Sequence, residues 1–396
     1  MFPKGFKVLG IHSGIYKNKK KKDLAVFYSD VPTKASAVFT TSKLLSAAIT
    51  YSKKNLNKSS IKAITVNSGC ANTCTGSRGL EHAKLIAAET AKGLNIEPND
   101  VLLASTGIIG TFLPINKVLV GVRKITKDIY FHNKSIPSSG AEAIMTTDTQ
   151  KKISTRNFKV SNRKVSLWGC AKGSGMIHPQ MATMLSFVLC DVSMPVSLLR
   201  RALKEAVDQS FNSISIDGET SPNDTVYILA NNASGIKINN AGSLPFRQFQ
   251  RSLNEVCLEL AKKIIEDGEG ARKFIEMNVL RAKNLGAAKK IAMLVATSPL
   301  VKTAFAGGDA NWGRIFAVIG RSGVEANLNK IDIYFNNIMV VKNGLGISKA
   351  LKRASSSLLR RINIVDIIMN QGIAQAQYLT CDLTEMYVRI NANFLT

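Results

Sequence analysis

Five short apolar runs set the strongest limit on what this chain can fold into: IKAITVN (61–67), VLLAST (101–106), KVSLWGCA (164–171), MLSFVLCDV (184–192) and TVYILAN (225–231). Each is bounded by Gly, Asn or Asp, the mark of a buried strand. IDIYFNNIMVV (331–341) predicts a hairpin turning at Asn336 and Asn337, and MYVRINANF (386–394) alternates as a half-buried strand. Between the strands, Phe246, Phe249, Leu253, Val256, Cys257, Leu260 and Ile264 recur at helical spacing, after Ser243 and Pro245 and before Gly268. Segments 81–94, 198–207 and 287–296 predict further helices, and HNKSIPSSGAE (132–142) reads as the longest irregular stretch. Strands and helices alternate irregularly, and many strands are buried. That predicts a mixed α/β (α+β) fold of layered sheets flanked by helices rather than a simple doubly wound sheet.

The chain has the apolar mass such layers need: 396 residues, 45% hydrophobic and 20% charged. This suits two or three domains or one large layered unit, and excludes global disorder. The start, MFPKGFKVLG, has no apolar h-region, and no window approaches the roughly 18 apolar residues of a membrane span. A soluble, cytoplasmic protein is expected. Six cysteines without a C-x-x-C pair predict buried free thiols in a reducing compartment. A metal site built from Cys70, Cys74 and His82 is the rarer alternative, and no metal is expected. The net charge is +26, of which +19 falls in residues 1–182. Its one dense run, Lys17 to Lys22, has no interleaved aromatics and precedes Asp23 and an apolar segment, so it reads as a solvated hairpin or loop. No specific nucleic-acid binding is expected, whereas small anionic substrates would gain from the positive field.

The densest oddity is KGSGMIHPQMATML, Lys172 to Leu185. Glycines at 173 and 175 make a permissive turn beside a cation, open to a phosphate cradle, a plain turn or a strained elbow. Thr183 then opens an apolar strand, where β-propensity alone would account for a threonine.

This segment closely resembles the cleavage segment of the ornithine acetyltransferase family. The resemblance runs through PKGF (3–6), FTTSKLLSAA (39–48), NSGCANTCTG (67–76), STGIIGTFLP (105–114), AIMTTDTQ (143–150), SIDGETSPNDTV (215–226), DGEGA (267–271), GGDANWGRI (307–315) and DLTEMYVRINANFLT (382–396). It implies an architecture like N-terminal-nucleophile hydrolases. It also implies autocatalytic cleavage between Ala182 and Thr183 into fragments 1–182 and 183–396 that stay associated, as a heterotetramer of two copies of each. Thr183 would be the nucleophile, activated by its own freed α-amino group, whose reference pKa near ~8 lets much of it be neutral. Thr106 and the Gly107 N–H would form the oxyanion hole, each donor contributing roughly 3 kcal/mol. Substrate contacts carried over are Thr149, Lys172, Thr183, Glu269, Asn391 and Thr396, with Lys172 a partner for an α-carboxylate.

The implied reaction moves acetyl from N2-acetyl-L-ornithine to L-glutamate in arginine biosynthesis, without a bound cofactor; acetyl-CoA is a further donor in some members. Asp224, Asp309, Asn311 and Arg314 read as structural supports of the site, through turns and Asp–Arg pairs. The chain departs from the family's common Asn, Ala and Asp at Cys70, His178 and Glu219, and NNASG (231–235) is a looser match. Two other readings are a self-processing aminopeptidase or amidase, against which a threonine rather than a serine argues, and a basic nucleic-acid-binding protein.

Overall fold

The computed structural model describes residues 1–56, 60–178 and 184–393. Two sheets face each other. The first runs β1 (Phe6–Ile11), β2 (Leu24–Ser29), β4 (Ala63–Asn67), β5 (Val101–Ser105). The second runs β3 (Lys34–Phe39), β10 (Thr225–Ala230), β8 (Leu185–Cys190), β7 (Arg163–Lys172), β6 (Lys152–Val160). The central strands β2, β4, β8 and β10 are mostly apolar and buried along their whole length because both of their faces are covered. In β8, Leu185, Phe187 and Leu189 enter the core between the sheets, while Val188 and Cys190 point to the helices behind. In β2, Ala25 and Phe27 face the other sheet, and Leu24, Val26 and Tyr28 face helices. This is the period of two expected of a strand, with neither face left for water. Phe27 stacks on Phe187 with ring centroids 4.6 Å apart, the main aromatic contact between the sheets.

Helices α1 (Ala47–Asn55), α2 (Gly76–Leu94) and α3 (Ile115–Tyr130) cover the first sheet, and α4 (Pro137–Ala143) packs on β1. The second sheet is covered by α5 (Val196–Asp208) and α6 (Leu244–Glu266). The predicted stripe of α6, from Phe246 to Ile264, is buried as read, and Ser243 caps the helix by accepting from the Phe246 N–H at 3.3 Å.

A third sheet, in the order β14 (Leu345–Gly346), β13 (Ile338–Lys342), β12 (Asp332–Phe335), β15 (Ile362–Ile368), β11 (Phe274–Ala282), β16 (Ala374–Cys381), β9 (Ile214–Ser215), builds a second lobe. Its core is shared with α7 (Leu285–Thr297), α8 (Pro299–Gly307), α9 (Trp312–Gly320) and α10 (Ser348–Ser357). The β12–β13 hairpin turns at Asn336 and Asn337, both left-handed at φ 46° and 66°, as its two asparagines predict.

The layered mixed fold is the one expected, with two local corrections. Residues 386–394 were expected to be a strand; the described part instead belongs to helix α11 (Glu385–Ala392), capped by Thr384. The stretch expected to be irregular, 132–142, contains most of α4, whose Pro137 sits in its first turn. Among the described residues no helix is long and apolar enough to cross a membrane.

Candidate active site

The loops that follow β4, β5 and β7 meet around a cavity of about 180 Å³. The loop after β5 is pinned against the loop after β4. The Thr106 N–H donates to Asn67 O at 3.0 Å, Ala71 N to Ile108 O at 2.9 Å and Gly110 N to Thr73 O at 3.0 Å. Asn223 ties both loops, its amide donating to Ala71 O and Ser105 O at 2.7 Å each while its Oδ1 accepts from Thr73 at 2.8 Å. Gly107 sits at φ +129°, and a Cβ there would stand 2.4 Å from the Gly69 carbonyl carbon and 2.5 Å from Cys70 N. Only glycine meets both conditions. Among the described residues nothing accepts from the Gly107 N–H.

Lys172 ends β7, pairs with Leu185 of β8, and reaches the cavity with 3% of its surface exposed. Burial lowers its pKa against the pull of Asp148 and Asp224. Asp224 is fully buried; burial pushes its pKa well up, although its Oδ1 accepts from the Met184 N–H at 3.0 Å. Asp148 goes the other way: burial would raise it, but Lys152 and Lys172 outweigh that and hold it low. Lys152 is buried between Asp148 (2.6 Å) and Asp267 (2.5 Å). Asp148 also accepts from the Gly173 N–H at 2.7 Å, fixing the turn after Lys172.

The opposite wall comes from the C-terminal half. Glu269 lines the cavity, its N–H donating to Ser174 O at 2.8 Å and its Oε2 accepting from Asn391 at 2.9 Å. Gly175 makes room for it, since a Cβ there would lie 2.5 Å from Glu269 Oε2. Asn391 is on α11, one turn from Tyr387, whose hydroxyl donates to Asp217 at 3.2 Å. Asp217 in turn accepts from the N–H groups of Met176 (2.5 Å) and Ile177 (2.8 Å).

The fold thus brings Thr106, Gly107, Lys172, Glu269 and Asn391 to one cavity. Thr149 does not join them: it is exposed, and its hydroxyl and N–H are both given to Asp267. Ala182, Thr183 and Thr396 lie outside the described residues. Asp224 accepts from the Met184 N–H at the start of β8. Asp309, Asn311 and Arg314 do not line the cavity. Their contacts stay within α8, α9 and the turn between them, Arg314 donating to Leu300 O at 2.5 Å, and no Asp309–Arg314 ion pair is found among the described residues.

Tyr16, Lys21, Ser221 and Asn223 line the cavity without having been singled out from sequence. Lys21 was hidden in a lysine run, Tyr16 lies in none of the family's blocks, and Ser221 and Asn223 lie in the block 215–226 but were given no role. A larger cleft, about 1070 Å³, lies between α5 and strands β11 and β16 and contains none of the predicted residues, so size does not follow the chemistry here.

All six cysteines are free, and only Cys74 is exposed. Among the described residues no group of three or more His, Cys, Asp and Glu stands close enough to hold a metal.

His178, a departure from the family pattern, is half-buried with its Nδ1 unpartnered, and burial lowers its pKa against the pull of Glu219. A histidine whose folded pKa is depressed adds stability above its ordinary value near ~6.5, lost as pH falls through the folded value. Thermal melts from pH 7.5 to 5 are therefore expected to fall more steeply for the wild type than for His178→Gln. Parallel profiles would refute this.

A sequence model described as the ArgJ family matches residues 7–396. The whole chain is 42% identical to the arginine biosynthesis bifunctional protein ArgJ of Thermotoga neapolitana, covering 99% of it. It is 43% identical to the protein of the same name from Dehalococcoides mccartyi, covering 96% of that chain. A crystal structure of the arginine biosynthesis bifunctional protein argJ from Bacillus halodurans matches 54% of this chain and 100% of its own, at 36% identity and a TM-score of 0.51. With a match from residue 7 to the last and more than 40% identity over the full length, the resemblance read from ordered sequence blocks is membership: the chain belongs to the ArgJ family.

Proposed function

We propose that this chain is an acyltransferase of arginine biosynthesis that moves acetyl from N2-acetyl-L-ornithine to L-glutamate through an acetyl ester on Thr183. The carrying observation is the cavity itself, where Thr106, Gly107 and Lys172 from before residue 183 face Glu269 and Asn391 from after it. The described chain resumes beside this cavity, with Met184 N held by Asp224 and Leu185 paired to Lys172.

The freed α-amino group of Thr183 takes the hydroxyl proton as Oγ attacks the acetyl carbonyl. The Thr106 hydroxyl and Gly107 N–H donate to the oxyanion, ornithine leaves carrying that proton on its amine, and the ester remains. The neutral amine of glutamate then attacks the ester. The Thr183 oxygen leaves and recovers a proton, and N-acetyl-L-glutamate departs. Lys172 holds the α-carboxylate in both halves, and Glu269 faces the side-chain ammonium of ornithine. No bound cofactor enters; acetyl-CoA would be a co-substrate.

The same reading has the precursor cut itself between Ala182 and Thr183, with fragments 1–182 and 183–396 staying together, two of each, in the cytoplasm. The solved Bacillus halodurans chain supports this in size: residues 183–396 make up the same 54% share of this sequence.

The test is intact mass of the purified protein together with initial rates against both substrates. Two species, ending at Ala182 and beginning at Thr183, and parallel double-reciprocal lines are expected. Acetyl release that needs no amino-acid acceptor would favour a hydrolase instead, and a single uncleaved active chain would remove Thr183 from its role.

A further inference from the structure

The lysine run 17–22 does not behave as one solvated stretch. Lys17, Lys19 and Lys20 are exposed, whereas Lys21 turns inward and lines the cavity. The loop that carries it is built rather than loose. The buried Asp23 carboxylate accepts from four consecutive N–H groups, Ser13 (2.5 Å), Gly14 (3.2 Å), Ile15 (2.8 Å) and Tyr16 (3.1 Å), and Lys22 pairs with Glu142 at 2.7 Å. The Lys21 ammonium lies over the Tyr16 ring, 4.1 Å from its centroid, and donates to Thr146 O at 2.5 Å. Burial lowers its pKa against the pull of Asp148, while the ring face and the carbonyl oxygen favour the charged form. Neither the ring nor the carbonyl cancels that charge, so an ammonium is presented to the cavity beside a wall that already contains Lys172.

Resting on the acetyl-transfer reading above, the charges can be matched to the two amino acids. Acetylornithine brings one carboxylate and one ammonium, which Lys172 and Glu269 satisfy. Glutamate brings two carboxylates. One goes to Lys172, and the second needs a cation; among the described residues Lys21 is the other lysine lining the cavity. We propose that Lys21 is the specificity-determining residue for the acceptor, binding the side-chain carboxylate of a dicarboxylic amino acid while Lys172 binds its α-carboxylate. Glu269 would repel that carboxylate, which places it on the Lys21 side of the cavity.

The test compares glutamate with glutamine as acceptors, in the wild type, Lys21→Met and Lys21→Arg. The step from N2-acetylornithine to acetyl-enzyme is followed separately by mass in a single turnover. Loss of one charge-assisted contact is expected to lower kcat/KM for glutamate roughly 10–100-fold, mainly through KM. The glutamine value should stay within about threefold, because a neutral amide does not depend on that charge. Lys21→Arg should recover most of the preference. If Lys21→Met loses glutamate and glutamine equally, the lysine only props the loop and the proposal is overturned. If the wild type forms no acetyl-enzyme, the transfer reading itself falls, an outcome distinct from the first.

Discussion

Thr183→Ala is expected to stay a single chain of full precursor mass and to lose acetyl transfer by about 10⁴-fold or more, the scale seen when a catalytic nucleophile is removed. Two functions disappear together. Without the hydroxyl there is no attack on the Ala182 carbonyl, so no α-amino group is freed. Without either, nothing carries the acetyl group or takes the proton. Thr183→Ser separates these losses: a primary hydroxyl can still attack, so a slower cleavage and measurable transfer are expected. Mass spectrometry over time reports the cut, and acetylglutamate formation reports the transfer. Ordinary transfer by an uncleaved Thr183→Ala protein would place the nucleophile elsewhere. The remaining cavity, with Thr106 and Gly107 intact, would then be a binding site whose oxyanion geometry serves another hydroxyl.

The strands flanking this cavity were legible because their physics is local. Runs such as 61–67, 184–192 and 225–231 are mostly apolar on both alternating faces, as the burial of every residue of β4, β8 and β10 demands. The stripe of α6 and the paired asparagines of the β12–β13 turn were equally plain. The tail was not. Tyr387, Val388 and Ile390 favour a strand by propensity, yet Thr384 caps a helix in which no residue is buried. Its contacts are long-range: Tyr387 to Asp217 and Asn391 to Glu269, side chains four residues apart on one helical face. A strand would have put 387 and 391 on one face as well, but some 13 Å apart rather than about 6 Å. Glu269, Asn391, Thr106 and Gly107 came from the family's blocks, because nothing in their own neighbourhoods says that they meet. Lys21 escaped both routes: the lysine run masks it, and only the clasp of Asp23 on the loop turns it inward.

Lys152 is the residue whose loss should be felt most in stability, although it reaches no substrate. It is 1% exposed and lies between Asp148 and Asp267, and those carboxylates hold the Gly173 N–H and Thr149. Lys152→Met keeps the volume and leaves two carboxylates without their shared cation, a loss of about 3–5 kcal/mol when one partner of a buried pair is removed. Urea unfolding at pH 7 measures it. The sign with pH is also fixed. Asp148 has a depressed pKa in the wild type, so its contribution is complete above a carboxyl's ordinary ~3.9 and fades as pH falls through the folded value. In the variant the same carboxyl, buried and with Lys152 gone, is expected to titrate higher. Acid therefore relieves the variant first, and the gap between the two proteins should narrow as pH drops from 7 toward 5. A gap below about 1 kcal/mol at pH 7 would mean that desolvation of the triad already cancels its attraction. The turn at Gly173 would then owe its shape to the sheet rather than to these charges.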